Sequence, residues 1–197
     1  MRRIVPVLLA VSTLIASTAC GSSGRALREP GPGITSPAPT STTSTTAAPP
    51  TTFTISSPTI SYGGEVPATY TCAGKDVSPP LQFYAIPAGA ASLALAVTTS
   101  DDAKTTVNWL VTGIPSTVDH FVEGATPPGT ELPNGSGTPN WSGPCPKAGH
   151  TVSIEFTLYA LTQPFTPPTS AAPAQVKAAL DNAPGARAVM TANFTGS

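Results

Sequence analysis

Apolar and polar positions alternate with a period of two in several short runs, the spacing of β-strands with one covered face. Phe53–Ser56 opens the series. Val66–Cys72 is predicted as a second strand, entered past Pro67. Leu81–Ile86, Ser92–Thr98 and Val107–Ile114 follow, separated by Pro- and Gly-containing turns. In Ser92–Thr98, Leu93, Leu95 and Val97 share one face and alanines the other, so this strand is expected to be buried on both sides. Thr151–Leu161 is the strongest strand signal, and Ala186–Phe194 the last. One segment has helical spacing. Ala171–Asp181 places Ala172, Val176, Ala179 and Leu180 on one stripe, with Ser170 as the expected cap and Pro184-Gly185 as the stop. About seven strands and one late helix predict a mainly β fold, a two-layer antiparallel sandwich with one short C-terminal helix. Thr117–Asn140 has turn formers and no period, the mark of a functional or loosely ordered loop. Trp141–His150 is a shaped loop, because Gly143, Pro144, Pro146 and Gly149 forbid regular structure.

Composition changes the picture at the N-terminus. Met1-Arg2-Arg3 is a positive start, and Ile4–Ala16 is an apolar run too short for a permanent membrane span. Ser17-Thr18-Ala19 then precedes Cys20. Small residues before a cysteine resemble a bacterial lipobox, although Ser17 stands where Leu is usual. Residues 1–20 are therefore expected to be a lipoprotein signal peptide, with Cys20 as the lipid anchor carrying palmitate. The alternative is ordinary cleavage near Ala19 with Cys20 left free. Residues 21–52 are rich in Thr, Ser and Pro and cannot bury enough apolar area to offset ordering entropy. They are expected to be a tether with a reach between about 30 and about 100 Å, and their composition suits O-glycosylation. Residues 53–197 form the expected folded domain. The location that follows is the cell envelope, on the outer face of the cytoplasmic membrane.

Charge excludes one partner class. The chain has 9 Lys and Arg against 10 Asp and Glu. Loss of Arg2 and Arg3 leaves a net charge of about −3 and no basic cluster, so no nucleic-acid partner is expected. Cys72 and Cys145 remain once Cys20 is assigned to the lipid. In an oxidising compartment an even pair is most simply a disulfide. A thiolate nucleophile or a metal site is the alternative, with only His120 and His150 as imidazoles. No metal and no cofactor are expected. A hydrolytic set of Asp101, His150 and Ser142 is conceivable, but no Gly-x-Ser-x-Gly elbow accompanies it. The expected protein is not an enzyme.

Eight short segments then occur in a recognisable order. They are Tyr70-Thr71-Cys72-Ala73-Gly74, Ser78-Pro79-Pro80-Leu81, Ile86-Pro87-Ala88-Gly89, Ser92-Leu93-Ala94-Leu95, Trp109, Ile114-Pro115, Gly143-Pro144-Cys145-Pro146 and Leu158-Tyr159-Ala160-Leu161. Their order and spacing resemble the phosphatidylethanolamine-binding protein family, in its bacterial Raf-kinase-inhibitor-like branch, over about Phe53–Thr195. The resemblance implies a Greek-key β-sandwich with a small anion pocket at one end, taking phosphate, acetate or a phosphoethanolamine head group in relatives. It also supports the Cys72–Cys145 pairing. Family members include kinase and protease inhibitors and flowering regulators, so the fold alone does not assign a function.

The implied pocket departs from the family pattern. Where relatives carry Asp-Pro-Asp-Ala-Pro, this chain has Thr99-Ser100-Asp101-Asp102-Ala103, and only Asp101 keeps an acidic position. Asn108-Trp109 stands for His-Trp, and Val152-Ser153-Ile154 for His-Arg-Tyr. His150 lies two residues before Val152, so a shifted register would bring it into the pocket, while an unshifted one leaves it a solvated loop residue. The expected ligand-binding residues are Asp101, Asn108, Trp109, Pro144 and His150. With the basic groups missing, and Lys104 and Lys147 read as surface charges, a neutral or zwitterionic head-group-like ligand, or none, fits better than free phosphate. The expected function is a membrane-tethered binding module with a degenerate pocket. The alternative is a protein-binding or inhibitory module acting through residues 117–140, whose partner the sequence does not name.

Overall fold

The computed structural model describes residues 50–101, 103–167 and 170–197. The expected signal peptide, Cys20 and the tether up to residue 49 lie outside the described residues. Two antiparallel sheets make up the fold. The smaller joins β1 (Thr54–Ser56), β2 (Leu81–Tyr84) and β5 (His120–Phe121) in the order β1-β2-β5. The larger joins β3 (Ser92–Ser100), β4 (Thr105–Ile114), β6 (Thr130–Leu132), β7 (Thr151–Leu161) and β8 (Gly185–Thr195) in the order β6-β4-β3-β7-β8. The helix α1 (Pro173–Asp181) connects β7 to β8.

The alternation read from the sequence sets the layers. Ile55, Leu81, Phe83 and Phe121 from the small sheet pack with Leu93, Leu95, Val97, Trp109, Ile154, Phe156 and Leu158 from the large one. Phe121 packs edge-to-face on Phe83 within the small sheet, centroids 5.1 Å apart, and on Trp109 across the layers at 5.7 Å. On the other face of β3, Ala94 and Ala96 pack with Leu110, Tyr159, Val176 and Leu180. The strand expected to be buried on both sides is so buried, and its alanines make room for α1. Fully burying a Leu- or Val-sized side chain contributes about 1.5–3 kcal/mol, so the two-sided row through β3 is a main source of cohesion.

Several local expectations are corrected. Val66–Cys72 is not a strand: Pro67 has no N–H to give a ladder, and Ala68–Tyr70 winds into a single 3-10 turn. The Thr71 hydroxyl closes that turn on the Ala68 carbonyl at 3.0 Å. Ser170 does not cap α1. Ala172 takes the cap position, and its N–H donates to Oε1 of Gln175 at 3.0 Å. The segment 117–140 is not unstructured, since β5 and β6 lie within it, one in each sheet. Asn134, which is buried, folds the rest, donating to the Asn140 carbonyl at 2.9 Å and accepting from the Ser136 N–H at 2.8 Å.

The turn Gly63–Val66 runs along the outer side of β8, with Gly63 N–H donating to Thr191, Val66 N–H to Asn193, and Asn193 N–H to Gly64. Gly185 starts β8 against Ala160, where an added Cβ would lie 2.1 Å from the Ala160 carbonyl oxygen.

Candidate functional site

The site begins with a ladder irregularity. Val97 pairs with Trp109 and Thr98 with Val107, so Asn108 is an extra residue on β4 with no partner on β3. Such a bulge re-aims a side chain. Trp109 returns to the inner core row, while Asn108 joins Thr99 and Thr106 at the edge of the inner face. Asn108 then grips the shaped loop: its Nδ2 donates to the Ser142 carbonyl at 2.7 Å, and the Ser142 N–H donates to its carbonyl at 3.1 Å.

The loop is held at nearly every residue. Trp141 stacks near Phe156 and stands edge-on to Trp109, and its Nε1 donates to the Tyr70 carbonyl at 3.2 Å. Gly143 N–H donates to Oδ1 of Asp76 at 2.7 Å. A Cβ on Gly143 would meet the Tyr70 carbonyl oxygen at 2.3 Å and Oδ1 of Asp76 at 2.6 Å, so only glycine allows this approach. Cys145 is bonded to Cys72, with Cα atoms 5.4 Å apart. The expected disulfide is therefore present, and the Tyr70–Asp76 segment and the loop form one rigid wall.

Behind that wall lies a cavity of about 220 Å³ lined by Thr99, Asn108, Ser142, Gly143, Pro144 and Val152, with Asp101 and Lys104 also lining it. Two of its polar atoms, Oγ1 of Thr99 and Oδ1 of Asn108, are buried with no hydrogen-bond partner among the described residues. Asp101 is held by backbone donors. Its Oδ1 accepts from the N–H groups of Ala103 and Lys104 at 2.9 and 2.7 Å, closing the β3–β4 turn. Those backbone bonds, first Ala103 and then Lys104, hold its carboxyl below the usual carboxylate range, with the Lys104 and His150 charges assisting.

Of the five expected ligand residues, the structure brings Asp101, Asn108 and Pro144 around this cavity. Trp109 does not line it. Its indole is in the core and donates to Oε1 of Glu131 at 2.6 Å. His150 does not line it either. It is exposed and borders an adjoining hollow with Lys147 and Thr151, which shares Asp101, Cys145, Pro146 and Val152 with the cavity. The register is thus unshifted: Val152 lines the cavity, and Ser153 faces the other side of the sheet, opposite Ser100. Sequence reasoning did not single out Thr106, Ser136 or Asp76. Ser136 comes from the long segment without period, and Asp76 matters through the loop it holds. Among the described residues there is no cluster of three or more metal-ligating side chains. What remains is a small polar cavity with one buried acceptor, hydroxyls and no basic group other than Lys104.

Comparison with known proteins places this geometry. The phosphatidylethanolamine-binding protein family matches residues 56–195. LppC of Mycobacterium tuberculosis, named as a candidate lipoprotein, is 36% identical over 190 residues, spanning 94% of this chain and 93% of that protein. A UPF0098 protein of Mycobacterium bovis is 43% identical over 119 residues, 59% of this chain and 56% of that one. Among solved structures, the phosphatidylethanolamine-binding protein homolog CT736 of Chlamydia trachomatis superposes with a TM-score of 0.67 at 25% identity, covering 75% of this chain and 100% of that one. YbcL of E. coli, described as a member of the mammalian family, gives the same score and identity over 74% and 99%. With the sandwich, the bulged strand and the pinned loop in place, this chain belongs to the phosphatidylethanolamine-binding protein family.

Proposed function

We propose that the protein is a non-enzymatic binding module of the cell envelope, held to the membrane through Cys20, whose cavity takes a small neutral or zwitterionic ligand rather than a free anion. One observation carries the ligand reading: Oδ1 of Asn108 and Oγ1 of Thr99 are buried and unpartnered at the cavity. An unpaired buried acceptor costs about 1–3 kcal/mol. A ligand hydroxyl or amine donating to Oδ1 of Asn108 recovers that cost, whereas a fully deprotonated anion has no proton to give it. The second reading, a protein-binding role for residues 117–140, has support in Val122, which is 60% exposed. It is the weaker one, because β5, β6 and Asn134 tie much of that segment into the fold.

Native mass spectrometry of protein extracted gently from its own envelope tests the pocket. We expect a small adduct of zero net charge that Asn108→Leu loses. Recovery of a simple anion instead, or identical spectra for the two proteins, rejects the reading.

The tether is tested separately. The small residues before Cys20 and the Pro-, Ser- and Thr-rich stretch after it support lipidation, in keeping with the name of the mycobacterial relative. Cys20→Ala is expected to move the protein from the detergent phase to the medium or to leave it unprocessed. Unchanged detergent partitioning of the variant would show that the cysteine is not the anchor.

A further inference from the structure

The outer face of the large sheet carries a second hollow, away from the cavity described above. Its volume is about 570 Å³, within the range of small-molecule sites. It lies between one side of α1 and the sheet. Ala174, Lys177, Ala178 and Asp181 of α1 form one side, and Thr98, Ser100, Thr105, Ser153 and Glu155 of three adjacent strands form the floor. The strand register explains why these residues meet. Ser100 pairs with Thr105 on one side and Ser153 on the other, and Thr98 pairs with Glu155. Their side chains therefore form one row of three hydroxyls, Thr105, Ser100 and Ser153, and beside it a pair of Thr98 and Glu155.

On this floor Thr105 and Ser153 are open to water and Ser100 is half-buried. Here Thr98 is 5% exposed, lines the hollow, and makes no side-chain hydrogen bond to a described residue. The charges are unequal. Lys177 is committed to Asp181, with both carboxylate oxygens 2.9 Å from its Nζ, and Arg187 approaches the same group at 3.7 Å. Burial alone would raise the Asp181 pKa. Lys177 and the Tyr159 hydroxyl, both hydrogen-bonded to it, outweigh that and hold it below the usual range. The Asp181 carboxylate is thus ionised and its charge is offset by Lys177. Glu155 forms no ion pair among the described residues, and only the Thr157 hydroxyl donates to it, at 2.8 Å. The floor therefore offers hydroxyls that both donate and accept, and one carboxylate free to pair with a cation.

We infer that this hollow is a binding site for a small hydroxylated primary amine of amino-sugar size, with its ammonium on Glu155 and its hydroxyls on Thr98, Ser100 and Ser153. The site is independent of the cavity at Asn108. The test is a titration of the full-length exported protein with glucosamine, followed by amide chemical shifts, with glucose as the uncharged control. Glucosamine is expected to saturate in the millimolar range, shifting residues of β3, β7 and α1. Glucose is expected to bind at least about tenfold more weakly, the size of one charge-assisted bond lost. Glu155→Gln keeps the shape and the acceptor for Thr157, so it is expected to fold with an unchanged melting temperature and to erase the preference for glucosamine. Asn108→Leu is expected to leave the glucosamine titration unaltered. The inference is overturned by absence of saturation, by equal affinity for glucose, by an unaffected preference in Glu155→Gln, or by shifts centred on Asn108.

Discussion

Inorganic phosphate and phosphoethanolamine will show no saturable binding to this protein below about 1 mM. The groups that the family resemblance implies for holding an anion are replaced, and among the described residues Lys104 is the one basic group lining the cavity. Asn108 uses its Nδ2 on the Ser142 carbonyl and leaves an acceptor, not a donor, without a partner. Val152 presents an apolar side chain to the cavity. Ser153 cannot compensate, because it faces the opposite side of the sheet. Each charge-assisted hydrogen bond lost is worth about 1.5–3 kcal/mol. Two losses weaken binding by roughly two to four orders of magnitude, at 1.4 kcal/mol per factor of ten. Lys104 lines the cavity but is exposed, where one screened charge recovers little. Calorimetry decides the matter. A micromolar isotherm abolished by His150→Ala would overturn the prediction and would mean that the 145–150 loop rearranges to carry the imidazole inward.

Breaking the Cys72–Cys145 bond is expected to have the largest effect on stability. The bond closes a loop of 73 residues that contains β2 through β6. The chain-entropy model gives about 4 kcal/mol for a loop of that length. For a domain of this size that is a fall in melting temperature of about 8–16 °C. Both cysteines are exposed, so a mild reductant should reach them without prior unfolding. The reduced protein should still fold, because Trp141, Ser142 and Gly143 hold the same loop through hydrogen bonds to Tyr70, Asn108 and Asp76. Urea melts with and without reductant, and of the Cys72→Ser/Cys145→Ser variant, are the measurement. A loss under about 1 kcal/mol would show that the denatured chain is already constrained by other means.

The contrast between these two sites marks what the amino-acid order could and could not reveal. Long buried strands were legible because burial imposes a period: Leu93, Leu95 and Val97 against Ala94 and Ala96 could hardly be read otherwise. The two-layer sandwich followed from those runs. The site was legible only in part. Asn108 and Trp109 are neighbours, and ordinary strand alternation would send them to opposite faces. The bulge puts one at the cavity and the other in the core row, and a bulge is a property of the pairing of two strands, invisible in either alone. The same holds for His150, whose place depends on where β7 begins. Val66–Cys72 misled because apolar content was weighed above Pro67. Asp76 gave no sign of its role, since its partner Gly143 is 67 residues away.

The turn Gly63–Val66 has a consequence for how one copy of the protein meets the next. β8 is the outermost strand of the large sheet and is 11 residues long, so an uncovered edge there would be a template for pairing with the next copy. The turn occupies the outward-facing groups of Thr191 and Asn193. That leaves the stretch around Arg187 and Val189, where Val189 is 42% exposed and Arg187 sets a charge beside it. A cationic side chain on an open edge repels its own image in a neighbouring molecule. Among the described residues, Arg187 thus sets its charge on a stretch of the strand that the turn does not reach.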